Sequence, residues 1–257
     1  MLRKRIIFTL IYAEGFFNQS RNFRLQKVGN EIWLENNYKF SKIAHAIDEL
    51  ILIDATKSNK NITKFSETVS KIVENVFIPI CAGGGIRSIS DADILFNQGA
   101  DKILLNTSLF NNPNLVNDLV KIYGSQSVVA SIDYKKIDNR YLIYINDGTT
   151  QIKYNLKEYI QYVQSLGIGE IYLNSIDKDG TGFGYDQEVI QNIASEIKIP
   201  LIIAGGAGNE FHLIDGLGIN HVNAVATANL FNFIGNGLPN ARKKMINMGM
   251  NIVNWNN

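Results

Sequence analysis

Two stretches of this chain copy each other half a chain apart. Glu49 precedes the apolar run Leu50-Ile51-Leu52, and Glu170 precedes Ile171-Tyr172-Leu173. Pro79 and Pro200 follow those acids at the same spacing, and each leads an apolar run into a glycine turn. The turns are Gly83-Gly84-Gly85 in one copy and Gly205-Gly206 in the other. A unit that recurs at a fixed period cannot bury its apolar face alone, so the fold must bring the two copies together around one core.

Apolar runs at 5–11, 49–54, 78–82, 102–106, 127–133, 170–173, 200–204 and 222–226 predict eight strands, several buried on both faces. Helices are predicted between them. Phe40, Ile43, Ala44 and Ile47 recur at helical spacing, as do Ile62, Phe65, Val69, Ile72, Val73 and Val76. Ile94 and Leu95 mark the next helix. Asn112-Pro113 starts another, with Leu115, Leu119 and Ile122 on its buried face and Gly124 as its stop. Further helices fall at 156–166, at Ile190, Ile193 and Ile197, at Phe211–Leu217, and at 239–248. Residues 12–36 lack periodicity and read as a long loop with room for a hairpin. Asp147-Gly148, flanked by strand-like residues 141–146 and 149–154, reads as a hairpin inserted after the fifth strand. Strands alternating with helices predict an α/β fold, a (β/α)8 TIM barrel built of two similar half-barrels, as one domain over residues 1–257. A doubly wound open sheet is the alternative.

Composition narrows the function classes. A formal net charge of +1 gives no bulk attraction to nucleic acid or to an anionic membrane. The apolar run after the basic start Met1-Leu2-Arg3-Lys4-Arg5 is too short to span a bilayer, and a cytoplasmic chain is expected. The single Cys81 excludes an internal disulfide, and with His45, His212 and His221 scattered no metal cluster is expected, nor any cofactor.

Chemistry should collect where strands run out into loops. Both glycine turns sit there, followed by Asn106-Thr107-Ser108 after the fourth strand and Thr227-Ala228-Asn229 after the eighth. Glycine lets backbone N–H groups approach a phosphate, and matched turns in both copies point to two phosphate sites facing each other. One such turn alone would read as a tight strand-to-helix connection. Asp54, Asp133, Asp177 and Asp179 fall at the same ends, as candidate acids or bases or as helix caps. The loop Asp179-Gly180-Thr181-Gly182 leaves the sixth strand. At the opposite ends, Arg5, Glu49, Lys102 and Glu170 each precede an apolar strand core. Two positive and two negative charges could close a ring across the barrel floor; ordinary exposed charge is the plainer reading.

Taken together, the residues resemble the cyclase subunit of imidazole glycerol phosphate synthase over the whole chain. The likeness is carried by Lys4-Arg5-Ile6-Ile7, Asp48-Glu49-Leu50, Gly83-Gly84-Gly85-Ile86, Gly99-Ala100-Asp101-Lys102, Asn106-Thr107, Ile132-Asp133 and Gly205-Gly206-Ala207-Gly208, and most specifically by Ser175-Ile176-Asp177-Lys178-Asp179-Gly180-Thr181. The resemblance implies a glutaminase partner on the N-terminal barrel face and ammonia passing through the barrel to the C-terminal face. It implies that Arg5, Glu49, Lys102 and Glu170 form the charged gate at the ammonia entrance. Gly85, Asn106 and Thr107 would bind one phosphate of a phosphorylated small-molecule substrate. Gly180, Gly206 and Ala228 would bind the other, with Asn229 standing where the family has a serine. Asp179, Thr181 and Gly205 are expected beside them. Asp133 corresponds to one of two catalytic aspartates. The other is absent, since the family's Cys-Leu-Asp is here Thr9-Leu10-Ile11, and Gln19 replaces a loop lysine. This departure is similar to divergent paralogues that serve amidotransferases acting on bacterial surface sugars. Three readings follow: an ammonia-channelling subunit working with a sugar amidotransferase, an active cyclase of histidine biosynthesis, and a non-catalytic scaffold that activates a glutaminase.

Overall fold

The computed structural model describes residues 3–38 and 43–255. Eight parallel strands close into a barrel: β1 (Arg5–Ala13), β4 (Glu49–Asp54), β5 (Ile80–Gly83), β6 (Lys102–Leu105), β7 (Val128–Ile137), β10 (Glu170–Ser175), β11 (Leu201–Ala204) and β12 (Ala224–Thr227). Each pairs with the next, and β12 pairs with β1, which closes the ring. The expected (β/α)8 barrel is therefore the fold. A closed parallel ring leaves no free edge, and its strands are buried on both faces, as Ile6, Ile7, Phe8 and Leu10 of β1 are.

Helices cover the outside: α1 (Glu31–Tyr38), α2 (Ile62–Val73), α3 (Ile89–Asn97), α4 (Thr107–Asn111), α5 (Pro113–Tyr123), α6 (Leu156–Ser165), α7 (Gln187–Ile193), α8 (Glu210–Gly218) and α9 (Gly237–Asn247). Their starts are written into the sequence. Asn61, Asn112 and Asn209 cap α2, α5 and α8 by accepting from Lys64, Leu115 and His212 N–H. Ser88 with Asp91, and Asn155 with Glu158, form reciprocal capping boxes on α3 and α6. Each cap contributes about 1 kcal/mol. The helix expected over 40–47 falls partly outside the described residues; of the remainder, Ile43, Ala46 and Ile47 are buried.

Two antiparallel ribbons interrupt the alternation. β1 runs on to Ala13 and pairs with β2 (Phe16–Arg21), which pairs with β3 (Arg24–Gly29). β7 runs on to Ile137 and pairs with β8 (Arg140–Ile145), which pairs with β9 (Thr150–Asn155). The unpatterned stretch 12–36 is thus a hairpin and α1, while the second ribbon contains the hairpin expected around Asp147-Gly148. Both ribbons grow from the first strand of a half-barrel, so the repeat extends to the insertions.

The repeat is visible in backbone packing. A Cβ on Gly84 would lie 2.2 Å from the Asp54 carbonyl oxygen, and one on Gly205 would lie 2.6 Å from that of Ser175, at the corresponding place in the other half. Both glycines have positive φ, +103° and +87°. The close approach by itself demands glycine there.

Candidate active site at the C-terminal mouth

A cavity of about 840 Å³ opens at the C-terminal ends of the barrel strands and reaches down to Thr9, Leu104 and Tyr172. Asp133 lies in its wall, 7% exposed. Asn174 Nδ2 donates to its Oδ1 at 3.2 Å, and Asn106 Nδ2 donates to its Oδ2 at 3.1 Å and to the Ser131 carbonyl at 3.1 Å. Burial pushes the Asp133 carboxyl up to about 7; the Asn174 amide works the other way, and Asp147 and Asp179 add to the rise. A carboxyl so placed can hold or release a proton near neutral pH.

The register identifies what stands opposite. Asp133 pairs with Asn174 of β10. Ile11 pairs with Ile53 of β4, the corresponding step of the first half. Ile11 lines the cavity too, so the repeat offers two equivalent positions, one carboxylic acid and one hydrocarbon. Glu14, a few residues on, is exposed in the β1–β2 turn.

The other strand-end acids have structural partners. Asp54 Oδ1 accepts from Thr56 N–H at 2.9 Å, and Asp177 Oδ2 from Lys136 N–H at 2.7 Å. Asp179 Oδ2 accepts from the Ser20 hydroxyl and from Phe23 N–H. Burial raises the pKa of both Asp54 and Asp179. Asp179 thereby ties the β2–β3 ribbon over the mouth. Asn22 reinforces the tie, its Nδ2 donating to the carbonyls of Ile176 and Asp177. Gly180 is pressed against the same ribbon; a Cβ there would lie 2.0 Å from the Ser20 carbonyl oxygen.

Of the residues expected to bind phosphate, Gly85, Asn106, Thr107, Asp179, Gly180, Gly205, Gly206, Ala228 and Asn229 all line this cavity. Thr181 does not; its hydroxyl donates to the Lys178 carbonyl within its own turn. Thr107 Oγ1 accepts from Asn146 N–H at 3.1 Å. Asn229 Oδ1 accepts from Phe231 and Asn232 N–H and shapes the loop after β12. Gln19 Oε1 accepts from Leu230 N–H at 2.8 Å, so this side chain joins the first ribbon to that loop. Asn174, Ser20 and Lys60 were not foreseen. Asn174 had one legible signal, a polar residue directly after the apolar core of the sixth strand.

At the other end, the four charges form a closed ring. Arg5 binds Glu49 (2.7 Å) and Glu170; Lys102 binds Glu49 and Glu170, both at 3.0 Å. Both acids are buried, Glu49 at 2% and Glu170 at 5% exposure. Burial works against the charge on Lys102, yet Glu49 and Glu170 outweigh it and its pKa rises. Between ring and cavity the lumen is lined by Ile7, Ile51, Cys81, Val129, Ile202 and Ala224, with Tyr172 above them.

Residues 25–234 match the model of a family described as histidine biosynthesis protein. The chain belongs to that family. Its relatives sharpen the placement. A protein of Parasynechococcus marenigrum (strain WH8102), provisionally named imidazole glycerol phosphate synthase subunit hisF2, is 45% identical over 244 residues, 95% of this chain and 91% of its own length. The imidazole glycerol phosphate synthase subunit HisF of Chlorobium phaeobacteroides (strain BS1) is 36% identical over 98% of this chain and 99% of its own. That of Chlorobaculum parvum (strain DSM 263 / NCIMB 8327) is 36% identical over 97% and 98%. The protein is a HisF-like chain of the imidazole glycerol phosphate synthase type. Among its described residues no helix is long and apolar enough to cross a membrane.

Proposed function

We propose that this HisF-like chain is the synthase subunit of a glutamine amidotransferase, carrying ammonia from a glutaminase on its N-terminal face to a phosphate-binding C-terminal face, for amidination of a surface-sugar precursor. The observation that carries the reading is the register equivalence of Ile11 and Asp133. One member of the pair cannot move a proton, while the charged ring and the apolar interior below the cavity are both present. Beyond the charge-balanced ring, the interior favours neutral ammonia over ammonium, because an apolar wall penalises charge heavily. Asp133, with its proton exchangeable near neutrality, can serve as general acid or base for one transfer at the mouth.

The test is reconstitution with a glutaminase subunit from the same organism and ¹⁵N-amide glutamine. A stable complex, accelerated glutamine hydrolysis and delivery of ¹⁵N to an acceptor in preference to bulk ammonia are expected. Absence of a complex and of any acceleration overturns the reading. Acceleration with ¹⁵N always equilibrated with bulk ammonia leaves only the glutaminase-activating scaffold.

The second reading is an active cyclase of histidine biosynthesis. It is favoured by end-to-end similarity to HisF subunits and by the retained Asp133.

A further inference from the structure

Lys60 reaches into the cavity from the segment between β4 and α2. Its stem lies along Gly85: a Cβ added to that glycine would sit 2.7 Å from Lys60 Cδ and 3.2 Å from Cγ. Its amine lies 3.7 Å from Asp147 Oδ1, on the turn between β8 and β9. The same turn donates Asn146 N–H to Thr107 Oγ1. One short turn therefore engages both the ammonium group beside Gly85 and the Thr107 hydroxyl, which lines the same cavity. Asp147 presents a carboxylate where a doubly charged oxyanion would find a better set of partners: an amine, a hydroxyl and the glycine backbone.

We propose that Lys60 is the cationic ligand of the Gly85 subsite and that Asp147 competes with a phosphomonoester for it. The inference rests on the phosphate-site reading above and extends it to a residue and a competitor. A phosphate group drawing Lys60 away from Asp147 frees the tip of the β8–β9 turn, while the Thr107 hydroxyl can donate to the phosphate and still accept from Asn146 N–H, so occupation of the subsite loosens the tip of one of the two ribbons over the mouth. A phosphate outcompetes a carboxylate because it carries more charge and more acceptor oxygens. The Lys60–Asp147 contact is loose and its carboxylate 40% exposed, so the turn gives way at small cost.

The experiment is calorimetric titration of the full chain with ribose 5-phosphate and with inorganic phosphate, paired with hydrogen exchange across residues 146–149. Lys60→Gln should weaken binding about tenfold, as loss of a charge-assisted bond does. Lys60→Arg should restore most of it. Asp147→Asn should tighten binding by about threefold, the worth of an exposed ion pair, and should give no gain on the Lys60→Gln background. Ligand should speed exchange at the Thr149 amide, which closes this turn by donating to the Asn146 carbonyl, the reverse of ordinary protection. Binding by the native chain that Lys60→Gln leaves unchanged overturns the inference and leaves the phosphate site standing. Tightening by Asp147→Asn that persists without Lys60, or protection of the Thr149 amide by ligand, overturns the competition. No binding of either compound by the native chain overturns the phosphate site itself and this inference with it.

Discussion

Thr9 Oγ1 and Tyr172 Oη lie 3.4 Å apart inside the barrel, one on β1 and the other on β10. Thr9 is 1% exposed and Tyr172 4%, and the neighbouring lumen side chains are apolar. Burial holds the Tyr172 phenol well above its ordinary pKa, so its proton stays in place for this bond. Tyr172→Phe strands the Thr9 hydroxyl and should cost about 1–3 kcal/mol, while the double change with Thr9→Val should cost less than the sum of the singles. Urea unfolding of the four proteins measures this. Strict additivity would mean that the two hydroxyls are not coupled.

Asp133 makes stability depend on pH in a stated direction. Its folded pKa of about 7 lies above that of an ordinary aspartate, near 3.9. The folded chain therefore keeps a proton that the unfolded chain has released. Its stabilising effect is complete below about pH 4 and declines as pH rises to about 7. Asp133→Asn removes the dependence, so between pH 5 and pH 7 the variant should gain about 2 kcal/mol on the native protein. A stability difference that stays constant across that interval would contradict the raised pKa.

Ile11 should limit cyclase chemistry. A positioned acid or base contributes roughly 10²–10⁴-fold, and groups acting together lose more than their separate shares. Turnover of the family's ribulose-phosphate substrate with added ammonia should be low in the native chain and rise in Ile11→Asp. Native turnover matching that of an ordinary HisF subunit would put the histidine-pathway reading first.

Gly180 should hold the first ribbon down. Its φ is +67°, and a Cβ would meet the Ser20 carbonyl. Gly180→Ala should lose more than about 1 kcal/mol and expose the ribbon tip, where Arg21 and Arg24 are trypsin sites. Faster cleavage there than in the native protein is expected. Equal rates would show that the tie through Asp179 and Asn22 suffices alone.

The barrel was legible because a strand buried on both faces writes an unbroken apolar run, and because the repeat supplied each reading twice. The first ribbon was not. β3 reads Arg24-Leu25-Gln26-Lys27-Val28-Gly29, with half its residues exposed, and β2 and its tip are held by Asp179, Ile176 and Asp177 from the other half of the chain. Helix α1 buries only Leu34 and Tyr38, too few to set a period. Asp133 could be named from its place at a strand end. Lys60 could not, because its setting depends on Gly85 and on a turn about a third of the chain away in sequence.

The ionic ring divides unequally between the halves. Glu49 and Glu170 occupy matching steps, opposite Ile7 and Val129. The cations do not match: Lys102 pairs with Cys81 on β5, whereas the corresponding step opposite Ile202 on β11 is Ala224. Arg5, Glu49 and Lys102 all come from the first half, and Glu170 alone from the second. A second half joined to its own copy would bury two acids with no base between them, and a first half joined to its own copy would crowd four bases around two acids. Each half is neutralised only by the other, so the charges at the floor encode which halves belong together.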